Sequence, residues 1–154
     1  MDRLRRGAVA FAVFAVAGVL AAGELAAAGN EAAVIAEATS GQFKSTKGQY
    51  FDKECNQQTD YEAEVIDLNS DGQPEVFTQI FGTCLGGAAG VSMNLYIKGA
   101  DGRWHPQFGF PGVYQVLATR NKGYPDIEIG GPGSCFPVWR WNGKEYVLFK
   151  KCPR

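Results

Sequence analysis

The sequence predicts a mainly β fold, with antiparallel hairpins in two related four-strand units, propeller-blade-like or sandwich, and one N-terminal helix. Three observations lead there. From Tyr61 onward the chain alternates short β-branched and aromatic runs with turn residues. Landmarks recur 51 residues apart. Glu31–Thr39, rich in Ala, Val and Ile, is the one convincing helical stretch, and Ser40-Gly41 supply its stop signal.

In chain order, Arg3, Arg5 and Arg6 precede an apolar run, Gly7–Ala22, and then Ala26-Ala27-Ala28. A basic start, an apolar middle and small residues at the cleavage region make a secretory signal peptide over 1–28. Its apolar run is shorter than the roughly 20 residues of a spanning helix, so no membrane span is expected after cleavage. Residues 29–60 read as the helix and an irregular lead-in with a short strand. Residues 61–154 read as the β domain, divided into repeats at about 61–111 and 112–154. Tyr61–Leu68 and Val76–Phe81 flank an acidic loop, and Val91–Lys98 and Arg103–Phe108 flank Gly99–Gly102. Val113–Thr119 and Pro125–Ile129 flank Asn121-Lys122-Gly123. Phe136–Trp141 and Lys144–Lys150 flank Asn142-Gly143, a two-residue hairpin signal because both residues tolerate positive φ. A two-residue turn there pairs Trp141 with Lys144, Arg140 with Glu145 and Trp139 with Tyr146. Trp139, Trp141 and Tyr146 then share one face, and Arg140 and Glu145 form an ion pair on the other. The aromatic face reads either as core or, together with Trp104, as a partly exposed binding surface.

The repeat aligns Pro74-Glu75-Val76 with Pro125-Asp126-Ile127, and Gly82-Thr83-Cys84 with Gly133-Ser134-Cys135. It also aligns Val65-Ile66 with Val116-Leu117 and, after a gap, Leu95-Tyr96 and Trp104 with Val138-Trp139 and Tyr146. Four cysteines, Cys55, Cys84, Cys135 and Cys152, imply two disulfides in an exported chain. The register of the last hairpin favours Cys135–Cys152, leaving Cys55–Cys84. The alternative joins Cys84 to Cys135 and clasps the ends through Cys55–Cys152.

The balance of 15 Lys and Arg against 16 Asp and Glu, with the charges interspersed, offers no basic face for nucleic acid. With no C-x-x-C and His105 as the single imidazole, zinc is a poor fit. No G-x-S-x-G element occurs, and Gly86–Gly90 reads as a flexible loop rather than a phosphate cradle. Asp126 and Glu128 lie on one face, too close in sequence to make a glycosidase pair.

The loop Asp67-Leu68-Asn69-Ser70-Asp71-Gly72-Gln73-Pro74-Glu75 alternates oxygen-bearing side chains around a turn glycine, as calcium requires. Thr78 stands where an EF-hand carries its last Glu, and the flanks are β-type. The loop resembles the short calcium loop of FG-GAP and VCBS-type repeats, the units of integrin-like β-propellers. That resemblance implies Asp67, Asn69, Asp71, Glu75 and the carbonyl of Gln73 as ligands of a structural calcium. In the second copy Ala118, Arg120 and Lys122 occupy the ligand positions, so the resemblance implies no second calcium there. The sequence thus points to a periplasmic or secreted non-catalytic binding protein whose target is a protein or cell-envelope component. One concrete form is an inhibitor or immunity protein against a wall-degrading enzyme. The alternatives are a calcium-dependent envelope hydrolase and a structural accessory subunit of a larger complex.

Overall fold

The structure, a computed structural model, describes residues 30–133 and 135–153. The expected signal segment 1–28 and Ser134 lie outside the described residues. Helix α1 covers residues 30–38 and ends as the sequence predicts, with Gly41 N–H donating to the Ala36 carbonyl at 2.7 Å. A first sheet follows, built from β1 (Lys47–Asp52), β2 (Gln57–Ile66), β3 (Glu75–Phe81), β4 (Val91–Lys98) and β5 (Trp104–Pro106), in that order. A two-residue strand, β6 (Phe110–Pro111), also pairs with β4. The second sheet holds β7 (Val113–Asn121), β8 (Tyr124–Gly130), β9 (Val138–Trp141) and β10 (Tyr146–Lys150). Every pairing is antiparallel. Among the described residues no helix is long and apolar enough to cross a membrane.

Three layers result. On one face of the first sheet, Tyr61, Ala63 and Val76 pack with Ile35 and Ala38 of α1 and with Phe43. On the other, Phe77, Met93, Leu95 and Ile97 pack against Tyr124, Ile127, Ile129, Trp141 and Tyr146 of the second sheet. The alternation in β4 shows how sequence dictates this: Val91, Met93, Leu95 and Ile97 are buried while the residues between them are half-buried. Each fully buried large side chain contributes about 1.5–3 kcal/mol.

The strand register reproduces the internal repeat residue by residue. Glu62 faces Gln79, Glu64 faces Phe77 and Val65 faces Val76; 51 residues on, Val113 faces Gly130, Gln115 faces Glu128 and Val116 faces Ile127. Past the gap, Val76 opposite Tyr96 corresponds to Ile127 opposite Trp139. Lys98 opposite Trp104 likewise corresponds to Trp141 opposite Tyr146. The two units β2–β5 and β7–β10 are therefore the same meander. They stack head to tail, because the face of the second unit that meets the first is equivalent to the face of the first that meets α1.

Several expectations need correction. The lead-in is more ordered than expected: β1 and the start of β2 are part of the first sheet. Gly86–Gly90 is not a free loop, since α2 (Thr83–Gly86) and a 3-10 turn (Gly87–Ala89) fill it. The last hairpin has a four-residue loop, not two. Tyr146 pairs with Trp141 and Val147 with Arg140, so Trp141 does not face Lys144 and Trp139 does not face Tyr146. The cause is the Asn142 side chain, whose Oδ1 accepts the N–H groups of Lys144 at 2.8 Å and Glu145 at 3.0 Å. A shift of two keeps the aromatics on one face but removes the expected Arg140–Glu145 pair. Arg140 instead makes a bidentate pair with Asp126, at 2.8 and 2.7 Å, and Thr119 donates to Asp126 at 2.6 Å.

The disulfides are Cys55–Cys84 and Cys135–Cys152, with Cα separations of 6.1 and 5.8 Å. Two disulfides are the mark of a chain folding in an oxidising, extracytoplasmic environment. Each ties two segments that lie beyond strand ends, and such a link is worth about 2–4 kcal/mol.

The Arg140 guanidinium bonded to Asp126 holds that buried carboxyl below the usual carboxylate range. Its stabilisation is therefore present above the unfolded carboxylate pKa and is lost as pH falls through the depressed folded value. Asp126→Asn is expected to cost about 2–4 kcal/mol near neutral pH. Urea unfolding across the acid range should show wild type and variant converging as Asp126 protonates. Equal stability near neutrality would remove this pair from the account.

Candidate functional site

Antiparallel meanders bring alternate loops to one end of a stack. The acidic loop between β2 and β3, the turn between β4 and β5, and the two turns of the second unit all gather there. They are stitched together: Arg120 Nη1 donates to the carbonyls of Leu68 and Gly123, both at 2.9 Å, and Lys122 Nζ donates to the carbonyl of Asn142 at 2.7 Å.

Within the acidic loop, Asp67 accepts the N–H groups of Asp71 at 3.1 Å and Gly72 at 2.9 Å. Asn69 Oδ1 accepts the Asp71 N–H at 3.0 Å, and Asp71 Oδ1 accepts the Gln73 N–H at 2.7 Å. Gly72 sits at φ 85°, a conformation that a side chain disfavours, which explains the glycine. Carboxylates accept about four hydrogen bonds each, so these turns leave Asp67 and Asp71 capacity for a cation. Glu75 is 2% exposed, and its two oxygens accept the Leu68 N–H at 2.7 Å and the Tyr124 hydroxyl at 2.8 Å. Burial pushes its pKa up, against the lowering effect of those bonds. Among the described residues no three Asp, Glu, His or Cys side chains converge on a point suited to a metal. The donor set at the loop is two carboxylates, the Asn69 amide and the Gln73 carbonyl, which suits a hard cation completed by water.

Beside this loop a cleft of 590 Å³ opens between the Gly99–Arg103 turn and the Asn142–Glu145 turn. Its floor includes Tyr124 and Trp141, whose rings lie 4.6 Å apart. Its rim carries Asp101, His105, Lys144 and Glu145. His105 Nε2 lies 3.0 Å from Asp101 Oδ1, and that hydrogen bond holds the Asp101 carboxyl below its usual range. The Arg103 N–H also donates to Asp101, at 3.0 Å. Gly99 makes the arrangement possible, since a Cβ there would come within 2.8 Å of Asp101 Oδ1 and 2.9 Å of the His105 ring.

Of the two readings of Trp139, Trp141, Tyr146 and Trp104, core packing describes Trp141 and Tyr146, while Trp139 and Trp104 are half-buried. Trp141 and Tyr146 are buried in the core between the sheets, with Trp139 packed against them. Trp104 packs on the α1 side of the first sheet. Stacking a second layer on this face is what buries it, and only Trp141 also reaches the cleft. Sequence reasoning missed the Asp101–His105 pair. The signal was a lone histidine four residues beyond an aspartate, across a glycine turn that folds one onto the other.

Compared with known proteins, the chain matches no family model, no curated protein and no solved structure. Two substitutions test the site's construction. Tyr124→Phe should cost about 1–3 kcal/mol in chemical unfolding, because a buried carboxylate oxygen loses its donor. Gly99→Ala should change stability by less than about 1 kcal/mol but move the His105 ring resonances in NMR spectra. Unmoved resonances would mean that the Asp101–His105 contact does not depend on Gly99.

Proposed function

We propose that the chain is an exported, non-catalytic binding protein of the cell envelope, with calcium in the acidic loop as a structural staple. The observation that carries this reading is the cluster of four loops at one end of a disulfide-tied, doubly stacked β scaffold. Rigid sheets that present loops from one edge are a common arrangement for recognition. Its partner is a protein or another envelope component, reached in the periplasm or outside the cell. An inhibitor or immunity protein against a wall-degrading enzyme is one form of this proposal. FG-GAP or VCBS-type ancestry is part of the reading, and its support is the loop pattern together with two equivalent four-strand meanders. Two points favour binding over hydrolysis. All four cysteines are in disulfides. Among the described residues, His105 hydrogen-bonds only to an aspartate through its ring, with no hydroxyl nucleophile beside it.

In this reading Asp67, Asn69, Asp71 and the Gln73 carbonyl hold the cation, and Glu75 anchors the loop from beneath. Calcium is then expected to raise the melting temperature, since ligand at 100 times its dissociation constant adds about 2.7 kcal/mol. Asp71→Ala should abolish the rise, and chelator should reproduce the variant. A transition indifferent to calcium and chelator would remove the metal. For the function itself, affinity capture from an envelope extract should yield a saturable partner, and incubation with peptidoglycan should yield no soluble fragments. Fragment release would overturn the non-catalytic reading.

A further inference from the structure

We propose that the cleft between the Gly99–Arg103 and Asn142–Glu145 turns binds a short neutral glycan, taking the binding function above as its premise and naming a ligand class for that end of the molecule. Its volume of 590 Å³ lies inside the range of small-molecule sites, about 300–1,000 Å³, and suits two or three sugar rings. Its chemistry is mixed in a particular way. Asp101 and Glu145 offer acceptors, Lys144 offers donors, and the His105 ring can do either. Lys144 and Glu145 enter no ion pair among the described residues, so both remain available to a ligand.

With Lys98 also in the lining, two carboxylates stand against two ammonium groups, so the charges cancel rather than adding up. A strongly anionic ligand would meet two carboxylates, and a strongly cationic one would meet the Lys144 ammonium. A sugar carries no charge, and each hydroxyl both donates and accepts, so it satisfies every group on such a rim. The floor supplies the other half of the match. Tyr124 and Trp141, 8% and 9% exposed, add a small apolar contact for the pyranose ring. Ala100 and Gly143 on the rim carry little or no side chain and leave the approach open.

The Asp101–His105 pair then acts as an oriented acceptor. The imidazole and the Arg103 N–H both bond Asp101 Oδ1, which leaves Oδ2 the more open to a ligand. Asp101 is a binding residue in this proposal, and His105 and Gly99 are positioning residues.

The test uses the oxidised full chain with chitotriose, cellotriose and maltotriose as probes and trialanine as the control of similar size. At least one trisaccharide is expected to shift the Trp141 indole and His105 ring resonances saturably. Asp101→Asn should weaken that binding about tenfold or more. Ala100→Phe, which fills the mouth and leaves the Asp101–His105 pair in place, should weaken it similarly with the melting temperature unchanged. Absence of a saturable shift with every trisaccharide up to about 10 mM would overturn the proposal. Equal binding by both variants, or equal binding of trialanine, would also overturn it. Capture of an envelope protein by a chain that ignores all three sugars would sink the glycan site and leave the binding function standing. Hydrolysis of a bound trisaccharide would keep the site and overturn the non-catalytic reading.

Discussion

A carboxylate taken out of water must find strong partners, and Glu75 finds one in each half of the molecule. Its own loop supplies the Leu68 N–H and the second unit supplies the Tyr124 hydroxyl. One buried side chain thus closes the acidic loop and fixes the loop over the sheet interface. It also sets the position of a ring that forms part of the cleft floor. Removing either partner leaves buried charge uncompensated, which costs more than the hydrogen bond alone is worth.

The second unit repeats this arrangement and solves it differently. Asp126 occupies the position equivalent to Glu75, and Thr119, equivalent to Leu68, again donates to it. No third unit stacks on it to offer a hydroxyl. Its other partner is Arg140, from the position held by Ile97 in the first unit. The guanidinium lies across the outer face, 3.5 Å from the centre of the Phe149 ring. Glu128 likewise stands where the first unit buries Phe77. Stacked repeats need an end that water can wet, and these substitutions finish the stack, as α1 finishes it on the other side.

With both ends closed, the stack leaves its loop edge as a place where turns and polar side chains of both units meet. The acidic loop and the cleft lie side by side there. Lys122 bonding to Asn142 and Arg120 bonding to Leu68 keep the two in register without a covalent link.

Much of this was legible before any coordinates. Period-two alternation in β4, the Gly turns and the 51-residue landmarks are local signals, so the strands and the two-unit plan could be read directly. The last hairpin also pointed to Cys135–Cys152, although from a register two residues away from the one the strands adopt. The acidic loop was readable because all its oxygens lie within nine consecutive residues. Two details of side-chain bonding were not legible. The Asn142 side chain, bonding Lys144 and Glu145 within its own turn, lengthened a turn that its dipeptide predicts to be short. Arg140 had an obvious neighbour in Glu145 and chose Asp126.

The sequence by itself determined most of the strands, the repeat and the oxygen-rich pattern of the acidic loop, since each follows from backbone preference and short-range spacing. Only the tertiary structure decided which layers cover the faces of each sheet. That choice put Trp141 and Tyr146 in the core and turned Glu75 inward to Tyr124. It also opened a cleft where Asp101 and His105 meet the second unit's turn. Burial is a property of layers brought together, and no single segment of the chain carries it.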